Sequence, residues 1–254
     1  MTILCHYFLW FLFYSMVGWA YETIVCSIGQ RRLVKRGFLN GPYCPIYGVG
    51  AVLDLLLLGW IDHPLWLFLA GMLVTGAIEY CASWLLEKLF QARWWDYSQR
   101  PFNLHGRVCL LGGLVFGLMT VLLVRYIHPL VVRWTELVSV QTLCLAAGVC
   151  LCLFCVDLAV TVLRLKHLNA RLAAMQQRMR ATLQGTAQRV ADLKERTGQQ
   201  LQAIRSNGLT EELRSMARKM SGQERRFLRS FPHFQSLRYQ ELVERLKELL
   251  RSRK

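Results

Sequence analysis

Long apolar runs broken by short charged turns occupy the chain up to residue 163, and beyond it the pattern becomes an apolar stripe on a charged background. Ile3 to Ile28, Tyr43 to Trp60, Leu65 to Leu86, Val108 to Tyr126 and Leu137 to Leu163 each read as a membrane crossing by length and hydropathy. The pattern predicts an all-α, polytopic membrane helix bundle of about five spans, because an outward N-terminus and an inward tail demand an odd number. No basic region precedes the first run and no small-residue cleavage site stands out, so it reads as a span and not as a cleaved signal peptide.

The second run starts irregularly. GFLNGPYCPIYGVGA places Gly41, Pro42, Pro45, Tyr47, Gly48 and Gly50 where a regular helix would have to begin. Proline removes a donor and glycine adds backbone freedom, so this start is either a loop capping the helix at the interface or a re-entrant, cavity-lining segment. Between the fourth and fifth runs, HPLVVRWTE is expected to be an outside connection, with Arg125 and Arg133 the charges that fit that side least.

The stripe begins at Leu165. Leu165, Leu168, Leu172, Met175 and Met179 alternate steps of three and four, and Leu183, Val190, Leu193, Leu201 and Ile204 continue it with two stutters. That is heptad-like periodicity. Residues 164–206 are thus expected to form a long cytoplasmic helix, either pairing with a second copy as a coiled coil or packing on another tail segment. Residues 207–254 read as a basic amphipathic helical tail, with a break at Asn207-Gly208, Phe227, Leu228, Phe231 and Phe234 beside arginines, and a helix from Tyr239 to Leu250.

Charge sharpens this division. The chain carries +15 overall, but residues 1–163 hold 10 Lys/Arg against 8 Asp/Glu, and the tail holds the remaining 21 against 8. Arg31, Arg32, Lys35 and Arg36 put the first turn on the cytoplasmic side by the positive-inside rule, which also places the tail there. A basic, phenylalanine-bearing tail beside a membrane points to anionic lipid or a protein partner. No zinc spacing or RNA-binding motif is present to point to specific nucleic acid. Eight of the nine cysteines lie within apolar runs and Cys44 sits at the edge of one, which reads as helix packing and not as a metal or disulfide framework.

Candidate chemistry lies in the acids at membrane depth. Glu22, Glu79 and Asp157 fall in the inner third of three different helices, and Glu79, Ser83 and Glu87 stack on one face at four-residue steps. A charge at the centre of a span costs about 2.5–3.5 kcal/mol on insertion scales, so these acids should face protein or water. The turn after the third span adds Lys88, Arg93, Asp96, Arg100, Asn103 and Arg107, with Trp94, Trp95 and Tyr97 between them. Two arrangements fit: an inward-facing polar pocket of Glu22, Glu79, Glu87, Arg93, Asp96, Asn103, Arg107 and Asp157, or a closed ion-pair network that fixes helix packing. No catalytic residue set, metal site or cofactor motif is evident.

Three stretches carry a family resemblance: NGPYCPIYGVGA, EYCASWLLEKLF and RWWDYSQRPFNLHGRVCL. Together with ERRFLRSFPHF in the tail they resemble a bacterial family of ABC-transporter type IV, or CmpB-like, permeases. The resemblance covers most of residues 10–124 and falls on Glu22, Gly41, Pro42, Pro45, Tyr47, Gly48, Glu79, Glu87, Arg93, Trp95, Asp96, Asn103, Gly106 and Arg107. It implies a multi-pass protein of the bacterial cytoplasmic (inner) membrane acting as a permease subunit. The chain lacks a GxxxxGK[ST] phosphate loop, so ATP hydrolysis would belong to a separate ATPase subunit docking on the turn from Lys88 to Asn103. Five spans are few for one transporter half, which implies a homodimer. Two other classes stay open. One is a membrane scaffold presenting a dimeric coiled coil to a partner. The other is a membrane-embedded enzyme acting on lipid-linked substrates through Glu87, Asp96, His105 and Arg107.

Overall fold

A computed structural model describes residues 2–192 except Arg32 and Lys35, and in the tail residues 215, 217, 218, 220, 222, 224, 225, 228, 235, 236 and 240–251. The sequence features at Leu193, Leu201, Ile204, Asn207-Gly208, Phe227, Phe231 and Phe234 lie outside the described residues.

The chain is a multi-pass membrane helix bundle. Its elements run α1 (Thr2–Gln30), α2 (Pro45–Leu58), α3 (Pro64–Phe90), β1 (Ala92–Arg93), β2 (Asn103–Leu104), β3 (Val108–Cys109), α4 (Leu110–Leu122), a π-helical turn (Leu123–Ile127), α5 (His128–Glu136), α6 (Val140–Asp192), β4 (Gln235–Ser236) and α7 (Gln240–Arg251). Among the described residues four helices are long and apolar enough to cross a bilayer: α1, α3, the continuous stretch Leu110–Glu136, and the first part of α6. The side on which α6 continues beyond the bundle is called the tail side below.

Two expectations are corrected. The expected second span, Tyr43 to Trp60, is a 14-residue helix, about 21 Å long, against a hydrocarbon core of about 30 Å. The chain does not resume helix at the end of α1. It returns beside α1 in irregular backbone, and the Cys44 N–H donates to the Ser15 carbonyl at 2.9 Å, so α2 begins level with the middle of α1. Such backbone is tolerated beside membrane helices where protein satisfies it, which favours the re-entrant form of the irregular start over a plain interfacial loop.

The second correction concerns HPLVVRWTE. It is helical, continuing α4 through the π turn. Pro129 has no N–H for a regular i−4 bond and its ring would clash there; the widened turn just before it absorbs the misfit.

Local chemistry sets the element ends. Pro64 occupies the first turn of α3 while the His63 ring accepts from Leu65 N–H, and Gln91 ends the helix in the left-handed region at φ 51°. Close contact between α1 and α2 depends on two glycines. A Cβ on Gly48 would sit 2.2 Å from Ser15 Oγ and 2.3 Å from the Phe11 carbonyl, and one on Gly18 would sit 2.2 Å from the Tyr47 ring.

The tail packs back on its own chain. β1 pairs antiparallel with β4. Phe90, Ala92 and Trp94 join Leu165, Leu172 and Met175 of α6, and Ala217, Met220, Leu228, Leu242, Val243 and Leu246 of the tail, in one apolar core. Three positions of the heptad-like stripe are therefore buried within the same chain. The tail helix α7 joins the same core. Its apolar face is spent on this core, and Glu241, Glu244 and Glu248 stand on its exposed side.

Candidate functional site

The irregular segment before α2 decides where the acids go. Glu22, on α1, meets it and the first turn of α2: Tyr47 of α2 donates its hydroxyl to Glu22 Oε1 at 3.3 Å, while Arg36 Nε lies 3.6 Å from Oε2 and the Cys44 thiol 3.9 Å from the same oxygen. Glu79 is buried on α3 and accepts a hydrogen bond of 3.1 Å from the Tyr97 hydroxyl. Its other oxygen faces Gly112 at the start of α4, where a Cβ would stand 3.9 Å away. Glu22 and Glu79 lie within electrostatic reach of each other and of Tyr97. Two carboxylates from two helices thus share one region with two tyrosine hydroxyls and one arginine.

Asp157 goes elsewhere. Its carboxylate accepts from the Gly41 N–H at 2.8 Å, the Tyr43 hydroxyl at 2.7 Å, and the Asn40 side chain at 2.7 Å and backbone at 3.2 Å. Thr161, one turn on, lies within 3.3 Å of it. This is a clasp holding the irregular segment against α6, and it satisfies backbone donors that no helix would use. Of the residues at the irregular start, Gly41 is held by this clasp, Pro42 keeps its neighbours out of helix, Pro45 opens α2, and Tyr47 and Gly48 face α1.

Glu87 forms a third group. Arg107 donates to its Oε2 at 2.8 Å and Arg93 approaches at 3.3 Å. Arg107 also donates to the Tyr80 hydroxyl at 3.2 Å. The hydrogen bond that Arg107 donates to Glu87 holds its guanidinium above its already high ordinary pKa, so it is permanently charged. Trp84, Glu87, Lys88, Gln91 and Arg107 line a shallow depression here, with Lys88 Nζ 5.7 Å from the Trp84 ring centre.

Asp96 and Asn103 shape the turn. Asp96 Oδ1 accepts from Ser98 N–H at 2.9 Å, while Asn103 donates to the Arg100 carbonyl at 2.8 Å and accepts from Gly106 N–H at 2.9 Å. These bonds fold the β2–β3 hairpin, where Phe102, just before β2, and Leu104, within it, are exposed. His105 contacts Tyr80 at 3.2 Å and does not join Asp96 in a reactive set. The eight expected pocket residues therefore divide into an acid pair, a clasp, an ion-pair group and a turn. Sequence reasoning missed Tyr97 and Arg36 as partners of the acids, having read them as an interfacial aromatic and an orientation charge. Among the described residues no group of three or more His, Cys, Asp or Glu side chains is arranged to hold a metal ion.

The family described as "Putative ABC-transporter type IV" matches residues 9–162, which include the whole acid pair, the clasp and the ion-pair group. No curated protein and no solved structure matches the chain.

Proposed function

The chain belongs to the "Putative ABC-transporter type IV" family, and from that premise we propose that it is the membrane-spanning permease subunit of a bacterial inner-membrane transporter, with its tail in the cytoplasm. The observation that carries this reading is the pair of neighbouring acids between helices, Glu22 held by Tyr47 and Arg36 and Glu79 by Tyr97. The region sets two acids against one arginine. Because charge buried among membrane helices is retained chiefly for function, the site suits a cationic cargo. ATP hydrolysis falls to a separate subunit. Its docking surface would be what the tail leaves open on the turn after α3: the hairpin with Arg100, Phe102 and Leu104, since Ala92 and Trp94 are buried under the tail. Two copies would complete a transporter, and pairing through the α6 stripe would compete with the tail for Leu165, Leu172 and Met175.

The test is affinity purification of the tagged chain from native membranes in mild detergent. A stoichiometric ATP-hydrolysing subunit is expected, lost on substitution of Arg100 and Phe102 by alanine. Recovery of the chain with no ATPase overturns the permease reading. A second reading, a scaffold that presents its tail to a partner, is favoured by the tail's own packed core. It predicts a non-ATPase partner that is lost with residues 240–254 and kept in Glu22→Gln and Glu79→Gln.

A further inference from the structure

Asp54 lies on α2, away from the groups described so far, and is the most enclosed acid of the bundle at 2 % exposure. Tyr47 and Asp54 are seven residues apart, two turns of one helix face, about 10.5 Å. Across from them, α4 sets Gly112, Phe116 and Thr120 at four-residue steps. Gly112 faces Glu79, the Phe116 ring lies 6.1 Å from the Tyr47 ring, and Thr120 meets Asp54. One seam between α2 and α4 therefore has the Glu22–Glu79 pair at its tail-side end and Asp54 further out. Beyond Asp54 the seam is closed by the apolar cluster of Leu58, Leu67 and Val124.

Hydrogen-bond bookkeeping around Asp54 is specific. The Thr120 hydroxyl oxygen is 2.6 Å from Asp54 Oδ2 and 3.0 Å from the Phe116 carbonyl. Threonine has one hydroxyl proton, which cannot serve both acceptors at once. A proton on Asp54 resolves this: the carboxyl O–H donates to Thr120, and Thr120 donates to the Phe116 carbonyl. Asp54 Oδ1 has no hydrogen-bond partner among the described residues, a condition a neutral carboxyl tolerates far better than a carboxylate. No cation among the described residues lies within ion-pair distance of Asp54. Around it α4 contributes only the Thr120 hydroxyl and the Phe116 carbonyl, and α3 contributes Gly71 against Thr120. One turn back on α2, Ala51 packs with Tyr14 of α1, whose hydroxyl contacts His128 at 2.9 Å.

We propose that Asp54 and Thr120 form a proton-binding site in the outer half of the bundle, a station behind the Glu22–Glu79 pair on the same seam. In the loaded state Asp54 is a carboxylic acid and Thr120 relays its hydrogen bond to the helix backbone. Release breaks the Asp54 O–H bond, passes the proton to a water molecule as hydronium, and leaves a carboxylate. The Thr120 hydroxyl then turns from the Phe116 carbonyl to that carboxylate. The pair is a two-position hydrogen-bond switch, read by its proton.

The proposal does not depend on the permease reading, and its test uses no cargo or ATPase. Infrared spectra of the full chain in lipid vesicles at neutral pH resolve protonated carboxyl C=O stretches from carboxylate bands. Expected is a protonated-carboxyl band that shifts in D2O and disappears in Asp54→Asn. That band should persist in Glu22→Gln and Glu79→Gln. Thr120→Val should move it to higher frequency by removing its hydrogen-bond acceptor, and Thr120→Ser should restore it. If Asp54→Asn fails to fold, the Thr120→Val shift decides alone. A folded Asp54→Asn protein with an unchanged protonated-carboxyl region, or a Thr120→Val protein with an unmoved band, overturns the assignment.

Discussion

Replacing Asp157 with alanine removes the clasp on the irregular segment, and the structure sets how much should be lost. Of the donors facing the carboxylate, those of Asn40 are exposed enough for water to replace the acid. The Gly41 N–H and the Tyr43 hydroxyl are partly buried, at 2.8 and 2.7 Å. Two charge-assisted bonds at about 1.5 kcal/mol each make the clasp worth about 3 kcal/mol, the lower end of the range for such groups. That energy holds the segment carrying Cys44, a buried residue whose thiol faces Glu22 and whose N–H donates to the Ser15 carbonyl. The assay is the maleimide-labelling rate of Cys44, resolved by peptide mass spectrometry from the other eight cysteines. When labelling proceeds through local opening, a loss of about 3 kcal/mol raises the rate by about a hundredfold. Asp157→Asn keeps one acceptor oxygen and should fall between. An unchanged Cys44 rate in a folded Asp157→Ala protein would refute the clasp.

Three further perturbations probe other contacts. Gly48→Ala forces a methyl to within 2.3 Å of the Phe11 carbonyl, a backbone atom that cannot swing away, and should cost about 1–3 kcal/mol, read as a lower thermal midpoint in detergent. Burial, reinforced by Glu79, holds the Tyr97 hydroxyl above its ordinary pKa of 10.0, so the folded chain keeps a proton that the unfolded chain loses. Stability from this group is full below about pH 10 and falls as pH rises above it, and Tyr97→Phe should flatten that fall in midpoints measured across the range. Leu246, fully buried on α7, should on Leu246→Ala cost about 2–5 kcal/mol of tail docking, seen as faster proteolysis of the tail while the bundle stays intact.

Most of the helical architecture was legible because lipid-facing runs leave little choice: a backbone without water must close its own hydrogen bonds. What escaped the reading were places where a local signal and a tertiary one conflict. HPLVVRWTE reads as a connection between two spans, yet the π turn at Leu123–Ile127 lets the helix run on through Pro129. Tyr43 to Trp60 has the hydropathy of a span, but hydropathy does not register that Asp157 and Ser15 supply enough partners for its first part to stay extended. Asp96 and Asn103 have the residue types of a binding site, and spend them on turn hydrogen bonds, which single-sequence spacing does not separate from ligand contacts. Glu22 and Glu79 were legible by depth alone. Their tyrosine partners were not, because Tyr47 and Tyr97 reach them from segments whose path the sequence leaves open. The placement of Tyr47 and Asp54 on one face of α2 was readable from their seven-residue spacing.

The turn between α3 and α4 ties these parts together. Ala92 and Arg93 pair with the tail strand, Arg93 and Arg107 hold Glu87, and Tyr97 reaches Glu79. A two-residue strand is too short to hold its own position, so β1 is fixed by the burial of Ala92 and Trp94 among α6 and tail side chains. Loosening the tail therefore releases backbone only four residues before Tyr97. Leu246 and Tyr97 share no contact, and independent sites that far apart give additive effects. If the turn transmits tail docking to Glu79, the stability losses of Leu246→Ala and Tyr97→Phe will fall short of their sum in the double variant by about 0.5 kcal/mol or more. The tail would have already released the hydroxyl that the second substitution removes. Additivity within error would mean that the tail core and the acid pair are separate structures joined by a passive linker.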